Sequence, residues 1–367
     1  MAGWCIPIHN RTTCQLGRKD FPADMKTVRE IYDFFLQYFT NGGKQLSLMD
    51  FMNTVPGFVE KIDDGTESMN MSMGMEYYKI CEKMVEDSLL MRIKPNAMMS
   101  IMTEYLAVHS VNSSNPQVFN MELDYGIYDF KYRGFTYTYH YFKESVVPLV
   151  GKNANGDDDN GTAYYIGGNR FVTAAHCVDG LERFNLLKPD GTPYALRAVL
   201  FTAGQNHNDY DLAVIVTDEV PVCQPLWLGD PATLDDVLVM GYPPIPGLNP
   251  VLTAETATVA TSDKFQRKAV VGQVVAEAGT YFNHLDYFLI SARVKGGNSG
   301  SPVINSEGRV VGTVIQLPFD SDGGFGGKRF DIMGFGVCLP SKYVDGLLAN
   351  PDVKPLVSDN GYYRMAD

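Results

Sequence analysis

Residues 296–304 read Gly-Gly-Asn-Ser-Gly-Ser-Pro-Val-Ile, a serine set among glycines ahead of a short apolar run. A serine hydroxyl is a poor nucleophile at its own pKa. It needs a base within hydrogen-bond reach, and the base needs an acid to orient it. Both types lie upstream. Thr173-Ala174-Ala175-His176-Cys177 offers a histidine, and Asp209-Tyr210-Asp211-Leu212-Ala213-Val214-Ile215 offers two carboxylates. Asp211 abuts the apolar run, as a buried acid at a strand start would, and is the expected partner of His176. Asp209 and His207 fall in a polar stretch and are expected to face solvent. Glycine permits sharp backbone turns, which makes the N–H groups of Gly297 and Ser299 the candidate oxyanion hole. The expected catalytic set is therefore His176, Asp211 and Ser299. Its chain order, His then Asp then Ser, is one of the unrelated orders in which this constellation recurs.

The segments around these residues read as β structure. From Thr162 onward, short β-branched runs recur between turn signals, as at 194–202, 212–217, 236–240, 268–276 and 309–316. That many short strands in a stretch of this length suggest paired antiparallel barrels. The start of the chain is different. Asp24 to Tyr38 carries apolar residues at helical spacing and stops near Asn41-Gly42-Gly43, glycines that suit a helix C-terminus. Ser47 to Ile62, Met75 to Arg92 and Asn96 to His109 read as further helices, the last two separated by Pro95. Of the 17 methionines, 14 fall before residue 122, and packing of an irregular helical core or a partner is the expected use. Residues 125–141 alternate aromatic with polar side chains around Arg133-Gly134, which predicts a β-hairpin. The expected class is α+β. A mainly helical domain spans 1–121, a β-hairpin joint 122–142, a double β-barrel 143–350 and a tail 351–367.

Bulk properties narrow the function classes. A net charge of −13 disfavours nucleic-acid partners, because phosphate affinity needs clustered Lys and Arg. No run of 18 apolar residues occurs, so no membrane partner is expected. The N-terminus lacks the basic and apolar regions of a secretory signal. Six cysteines without such a signal read as free buried thiols, and a cytoplasmic location is expected. Cys5, His9 and Cys14 have loosely metal-like spacing but supply only three ligands. The three aspartates of the loop 153–161 read as solvated and not as a calcium site. No metal and no cofactor are expected.

Residues from about 143 to 350 resemble the trypsin-like peptidase domain of the chymotrypsin clan, closest in pattern to its HtrA-like and glutamyl-endopeptidase-like branches. Gly161-Thr162-Ala163-Tyr164-Tyr165-Ile166 and Asn169 to Thr173 resemble the strand pair that leads into that family's catalytic histidine. Leu226 to Asp230 and Val237 to Pro243 resemble the segment between acid and nucleophile. Gly308 to Gly312 and Gly334 to Ser341 resemble the strands after the serine. The resemblance implies a serine endopeptidase acting on protein or peptide substrates through an acyl-enzyme. The N-terminal region would then serve regulation or docking of an activating protein partner. A catalytically silent binding protein of the same fold and a serine esterase are the alternatives. The resemblance also implies a substrate-binding set. Arg293, six residues before Ser299, takes the pocket-base position, with Lys295 two residues on. An acidic residue before the scissile bond is the expected preference, unless Arg293 turns outward or pairs with an acid such as Asp286. Ile315, Gln316 and Leu317 match the segment that pairs with substrate backbone. Extracellular members often join the cysteine after the catalytic histidine to one on the preceding strand. Cys177 is present here, but residues 160–172 hold no partner, which favours a reducing compartment.

Overall fold

The computed structural model describes residues 25–366 except 41, 62–65, 97, 109–114, 180, 205–209, 244–265, 283–284, 295 and 316–334. The chain divides into two compact units, one ending at Thr138 and the other running from Tyr139. Cys5, His9 and Cys14 lie outside the described residues. No helix among the described residues is long and apolar enough to cross a membrane.

The first unit contains α1 (Val28–Leu36), β1 (Leu46–Ser47), α2 (Leu48–Met52), β2 (Val59–Lys61), β3 (Glu67–Met69), α3 (Met71–Glu86), β4 (Leu90–Lys94), β5 (Glu104–Ala107), α4 (Pro116–Tyr125) and most of α5 (Ile127–Phe142). Thr27 and Glu30 close a capping box at the start of α1, and Val28, Ile31, Tyr32 and Phe35 form its buried stripe. That stripe packs with Phe51, Phe58, Tyr77, Ile80, Met84 and Tyr105 in a single apolar core. The helical expectations for Ser47 to Ile62 and Asn96 to His109, and for the end of Met75 to Arg92, are corrected: α2 covers only Leu48–Met52, and β2, β4 and β5 take up the rest of the ordered pattern. β5 alternates buried and part-buried residues and pairs with both β1 and β4 in a three-stranded sheet. The methionines divide between the core and the surface. Met52 and Met84 are buried, but Met69, Met71, Met75, Met91, Met98 and Met99 are exposed.

The hairpin expected over 122–142 is corrected as well, because this stretch is helical. The aromatics that alternate along it also recur at spacings of three and four, so the Tyr128 and Tyr132 rings meet at a tilt across one helical turn. Asp129 and Arg133 form a buried i,i+4 pair at 3.1 Å, and the Asp129 carboxylate also accepts the N–H of Val28 at the start of α1. The Arg133-Gly134 turn signal survives as a break: Gly134 has φ 74° and ψ −170°, outside helical geometry.

The second unit follows as β6 (Val146–Asn153), β7 (Asp158–Gly167), β8 (Arg170–Thr173), α6 (His176–Asp179), β9 (Leu181–Leu186), β10 (Leu196–Thr202), β11 (Ala213–Thr217), β12 (Trp227–Leu228), β13 (Asp236–Gly241), β14 (Lys268–Phe282), β15 (Leu285–Ile290), β16 (Pro302–Asn305), β17 (Arg309–Val314), β18 (Gly336–Pro340), α7 (Lys342–Ala349), β19 (Pro351–Asp359) and β20 (Tyr362–Met365). Two closed barrels result. The first has eight strands in the order β10-β11-β8-β7-β6-β9-β20-β19. The second runs β17-β16-β13-β14-β15-β18 and closes through the β17–β18 pairing, with β12 alongside β17. Leu149, Phe171, Phe184, Val199, Phe201 and Ile215 are fully buried in the first-barrel strands. Val237, Val274, Phe288, Ile290, Val303 and Val311 form the core of the second.

The expected tail 351–367 is corrected to a structural hairpin. β19 pairs with β10 over five positions, from Ala198↔Pro355 to Thr202↔Pro351, and β20 meets β9 at Tyr363↔Phe184. Asn185 donates to the Gly361 carbonyl at 2.8 Å, and the Arg183 guanidinium lies over the buried Tyr362 ring at 5.2 Å. Closure leaves the barrel no open edge. Deleting 351–367 is therefore expected to unpair β9 and β10 and to lower the melting temperature by about 10 °C or more, in line with loss of several kcal/mol from a domain of this size. The milder Tyr362→Ala should cost about 3–5 kcal/mol in chemical denaturation. Unchanged melting of both proteins would show that the hairpin is dispensable.

Candidate active site

The β8–β11 register sets the first half of the site. Thr173, the last residue of β8, lies opposite Ala213, the first of β11, so the segments beyond each strand leave the barrel at the same end. One carries His176 and the other Asp211. A tight turn over Tyr210–Leu212, closed by Leu212 N–H to the Tyr210 carbonyl at 2.7 Å, presents the Asp211 side chain. The Tyr210 ring packs edge-on against Tyr343, and its hydroxyl donates to the Tyr343 carbonyl. Asp211 is 5 % exposed, too buried to rely on water for its hydrogen bonds. His176 supplies two: its backbone N–H reaches Oδ1 at 2.9 Å, and its Nδ1 lies 2.7 Å from Oδ2. A proton on Nδ1 satisfies that contact and leaves Nε2 with its lone pair. Burial opposes protonation of His176. The Asp211 carboxylate and the Cys177 sulfur outweigh it and hold the pKa above the ordinary histidine value. Asp209 and His207 lie outside the described residues.

The second half is the loop before β16. Gly297 and Gly300 take positive φ, 84° and 81°. At Gly300 the requirement is also steric, since a Cβ would fall 2.1 Å from the Thr162 carbonyl and 2.4 Å from Thr173 Oγ1. Ser299 is half-buried, and Gly297 and Asn298 are buried. Hydrogen bonds bind the loop to its own barrel and to the other one. Gly300 N–H donates to Val314 at 2.8 Å, and Ser301 N–H to Asn298 at 2.9 Å. Across the barrels, Thr162 N–H donates to the Ser299 carbonyl at 2.9 Å, and the Thr162 hydroxyl to the Gly297 carbonyl at 2.9 Å. Neither Gly297 N–H nor Ser299 N–H has an acceptor among the described residues.

Cys177 joins the two halves. Its Sγ lies 3.6 Å from His176 Nε2 and 3.6 Å from the Ser299 carbonyl oxygen. Among the described residues no hydrogen bond links Ser299 Oγ directly to His176. The thiol is free and buried. It occupies space that Gly161 leaves open, because a Cβ on Gly161 would stand 2.7 Å from the sulfur.

The expected substrate-binding residues are only partly visible. Lys295, Gln316 and Leu317 lie outside the described residues. Arg293 is exposed between β15 and the serine loop. Asp286, weighed as its internal partner, forms an ion pair with Lys342. Ile315 is buried and continues the β17 ladder, its N–H donating to Val337 at 3.1 Å. Sequence reasoning missed Thr162 and the position of the Cys177 thiol. A threonine at the head of the apolar run Ala163 to Ile166 of β7 was the available signal for Thr162.

Residues 161–312 match the family model of the trypsin-like peptidase domain. Among curated proteins, Protease Do-like 2, chloroplastic, of Arabidopsis thaliana is 29% identical over 161 residues, which is 43% of this chain and 24% of that protein. Serine protease Rv3671c of Mycobacterium tuberculosis (strain ATCC 25618 / H37Rv) is 29% identical over 161 residues, 44% of this chain and 36% of that protein. The chain thus spans 24% to 36% of the length of these curated relatives. Solved structures that are similar include the active form of the Rv3671c protease from M. tuberculosis, at TM-score 0.44 and 21% identity, covering 66% of this chain and 94% of that one. The HtrA-type protease AlgW with tripeptide aligns at TM-score 0.42 and 18% identity, covering 58% of this chain and 62% of that one. The stretch that matches the trypsin-like peptidase domain, residues 161–312, holds strands of both closed barrels together with His176, Asp211 and Ser299.

Proposed function

We propose that the chain is a serine endopeptidase in which Ser299, His176 and Asp211 act together. The observation that carries this reading is the paired contact of His176 with the buried Asp211 carboxylate, at 2.9 and 2.7 Å, beside the serine loop. Asp211 holds His176 in the tautomer with the proton on Nδ1. Nε2 takes the Ser299 proton as Oγ attacks the substrate carbonyl carbon. The carbonyl π electrons move to oxygen, and the N–H groups of Gly297 and Ser299 receive the oxyanion. Collapse breaks the C–N bond, and His176 gives its proton to the leaving amine. Water then attacks the acyl-enzyme by the same route and releases the acid. For Nε2 to serve as base it must come within hydrogen-bond reach of Ser299 Oγ, a contact that forms or tightens with substrate in many enzymes.

The preference for Asp or Glu before the scissile bond rests on Arg293, an exposed guanidinium six residues before Ser299. Such a group binds a carboxylate in bidentate fashion. Regulation is assigned to the first unit because it has an apolar core of its own, while the proposed catalytic groups all follow residue 170. Protein or peptide substrates, and an activating protein partner docking on the first unit, complete the reading.

Ser299→Ala should remove fluorophosphonate labelling and casein cleavage while leaving the circular dichroism spectrum unchanged. Cleavage at the wild-type rate by a preparation free of other proteases would end the assignment, and ester turnover without casein cleavage would favour the esterase alternative. Asp211→Asn should lower kcat by about 10⁴-fold, the loss seen for the corresponding change in serine proteases, whereas Asp209→Asn should leave it near wild type.

The pH profile provides a second check. Deprotonated His176 is the working form, and its pKa is held above the ordinary value, so the acid limb of kcat/KM should lie above about pH 6.5. Removing the Asp211 carboxylate destabilises the imidazolium, so the limb of the residual activity of Asp211→Asn should move to lower pH. A limb that stays in place would mean another group sets it. Finally, a chain beginning at Phe135, just past the Gly134 break, should still label at Ser299 but with altered substrate range or response to partners. A folded, unlabelled truncation would show that the first unit completes the site.

A further inference from the structure

We propose that Thr162 is a positioning residue for the oxyanion-binding loop, an inference that rests on the serine-hydrolase reading above. Thr162 is fully buried in β7, among the apolar residues Ala163, Tyr164 and Tyr165. Each of its polar groups has a partner. The hydroxyl donates to the Gly297 carbonyl at 2.9 Å and accepts the N–H of Tyr242 at 3.1 Å. The backbone N–H donates to the Ser299 carbonyl at 2.9 Å, and the backbone carbonyl accepts the Thr173 hydroxyl at 2.7 Å.

The direction of this relay is fixed by chemistry. A backbone N–H only donates and a carbonyl only accepts, so the single hydroxyl proton of Thr162 must point at Gly297. Thr162 therefore sets two peptide planes of the loop, the one after Gly297 and the one after Ser299. Between them the Asn298 carbonyl accepts the Ser301 N–H at 2.9 Å, which sets the plane that carries the Ser299 N–H. Three successive planes are pinned through this segment. Upstream, a Cβ on Gly296 would meet nothing within 4 Å, and Gly297 sits at φ 84°. Two consecutive glycines can rotate a peptide with little steric resistance, and the Thr162 hydroxyl, by fixing the Gly297 carbonyl, anchors the plane that adjoins that pair. Tyr242, at the other end of the relay, directly follows β13, so this hydroxyl also ties the end of that second-barrel strand to the loop.

Oxyanion donors act only if they are aimed before charge develops. Loss of the anchor should therefore weaken binding of the transition state more than binding of substrate. Thr162→Val keeps the β-branched shape and removes the hydroxyl; Thr162→Ser keeps the hydroxyl and removes the methyl. Wild type and both variants would be assayed as full chains with fluorescent casein and p-nitrophenyl acetate, with phenylboronic acid as the tetrahedral mimic. For Thr162→Val, kcat should fall about 10- to 100-fold, less than the roughly 10²–10³-fold lost with a donor itself. KM should change little, and the inhibition constant for the boronic acid should rise in parallel with the fall in kcat. Thr162→Ser should stay within about threefold of wild type, a rescue expected if the hydroxyl bond is what counts. A folded Thr162→Val with wild-type kcat would overturn the proposal, as would Thr162→Ser losing activity as far as a tenfold drop. The Ser variant thus decides the matter even if the Val variant does not fold. Wild type that neither labels with fluorophosphonate nor turns over either substrate would instead refute the serine-hydrolase reading.

Discussion

A carboxylate with almost no access to water must find its hydrogen bonds inside the protein, and Asp211 obtains two from His176. This constrains more than the two side chains. The pair sits where β8 and β11 end opposite each other, at Thr173 and Ala213, so a slip in that register would separate Asp211 from His176. Sheet pairing and site geometry are thus the same constraint seen at two scales. The first barrel holds that register by closing completely, and the closing piece comes from the far end of the chain.

The C-terminal hairpin has a clear mechanical logic. Strands β9 and β10 do not pair with each other; β20 and β19 stand between them. β10 leads toward the Asp211 turn, and the Tyr210 ring beside that turn rests on Tyr343 of α7, the helix just before the hairpin. The last residues of the chain therefore brace the strand system from which the acid projects. The second barrel contributes the serine loop and needs the first to hold it. Thr162 and Cys177 on the first barrel both contact the Ser299 carbonyl. A loop rich in glycine has little stiffness of its own, and these contacts from the neighbouring barrel provide it.

Cys177 fills the space between the two halves of the site. Its sulfur touches both His176 Nε2 and the serine loop, and Gly161 opposite leaves it room. A thiol there is a small, polarizable filler with a weak donor. It also supports the charged form of His176, together with Asp211.

The candidate site was legible in the sequence because its signals depend on residue type over short distances. Glycines around Ser299 announce a strained turn, an apolar run after Asp211 announces a buried acid, and β-branched runs between turns announce short antiparallel strands. The capped start and apolar stripe of α1 were readable for the same reason: helical periodicity is local. What failed was decided by partners far away in the chain. The aromatics of 125–141 satisfy both the strand and the helix period, and contacts with distant residues, among them Asp129 with Val28 and Tyr132 with Asp87, hold the helix. Residues 351–365 look like a tail until β9 and β10 are seen to lack each other. Thr162 looks like one more strand residue until Gly297, Ser299 and Tyr242 converge on it. Local pattern determined which groups this protein has for its chemistry; long-range hydrogen bonding and barrel closure alone decided where they point, because a hydrogen bond depends on position in space and leaves no periodic trace in the chain.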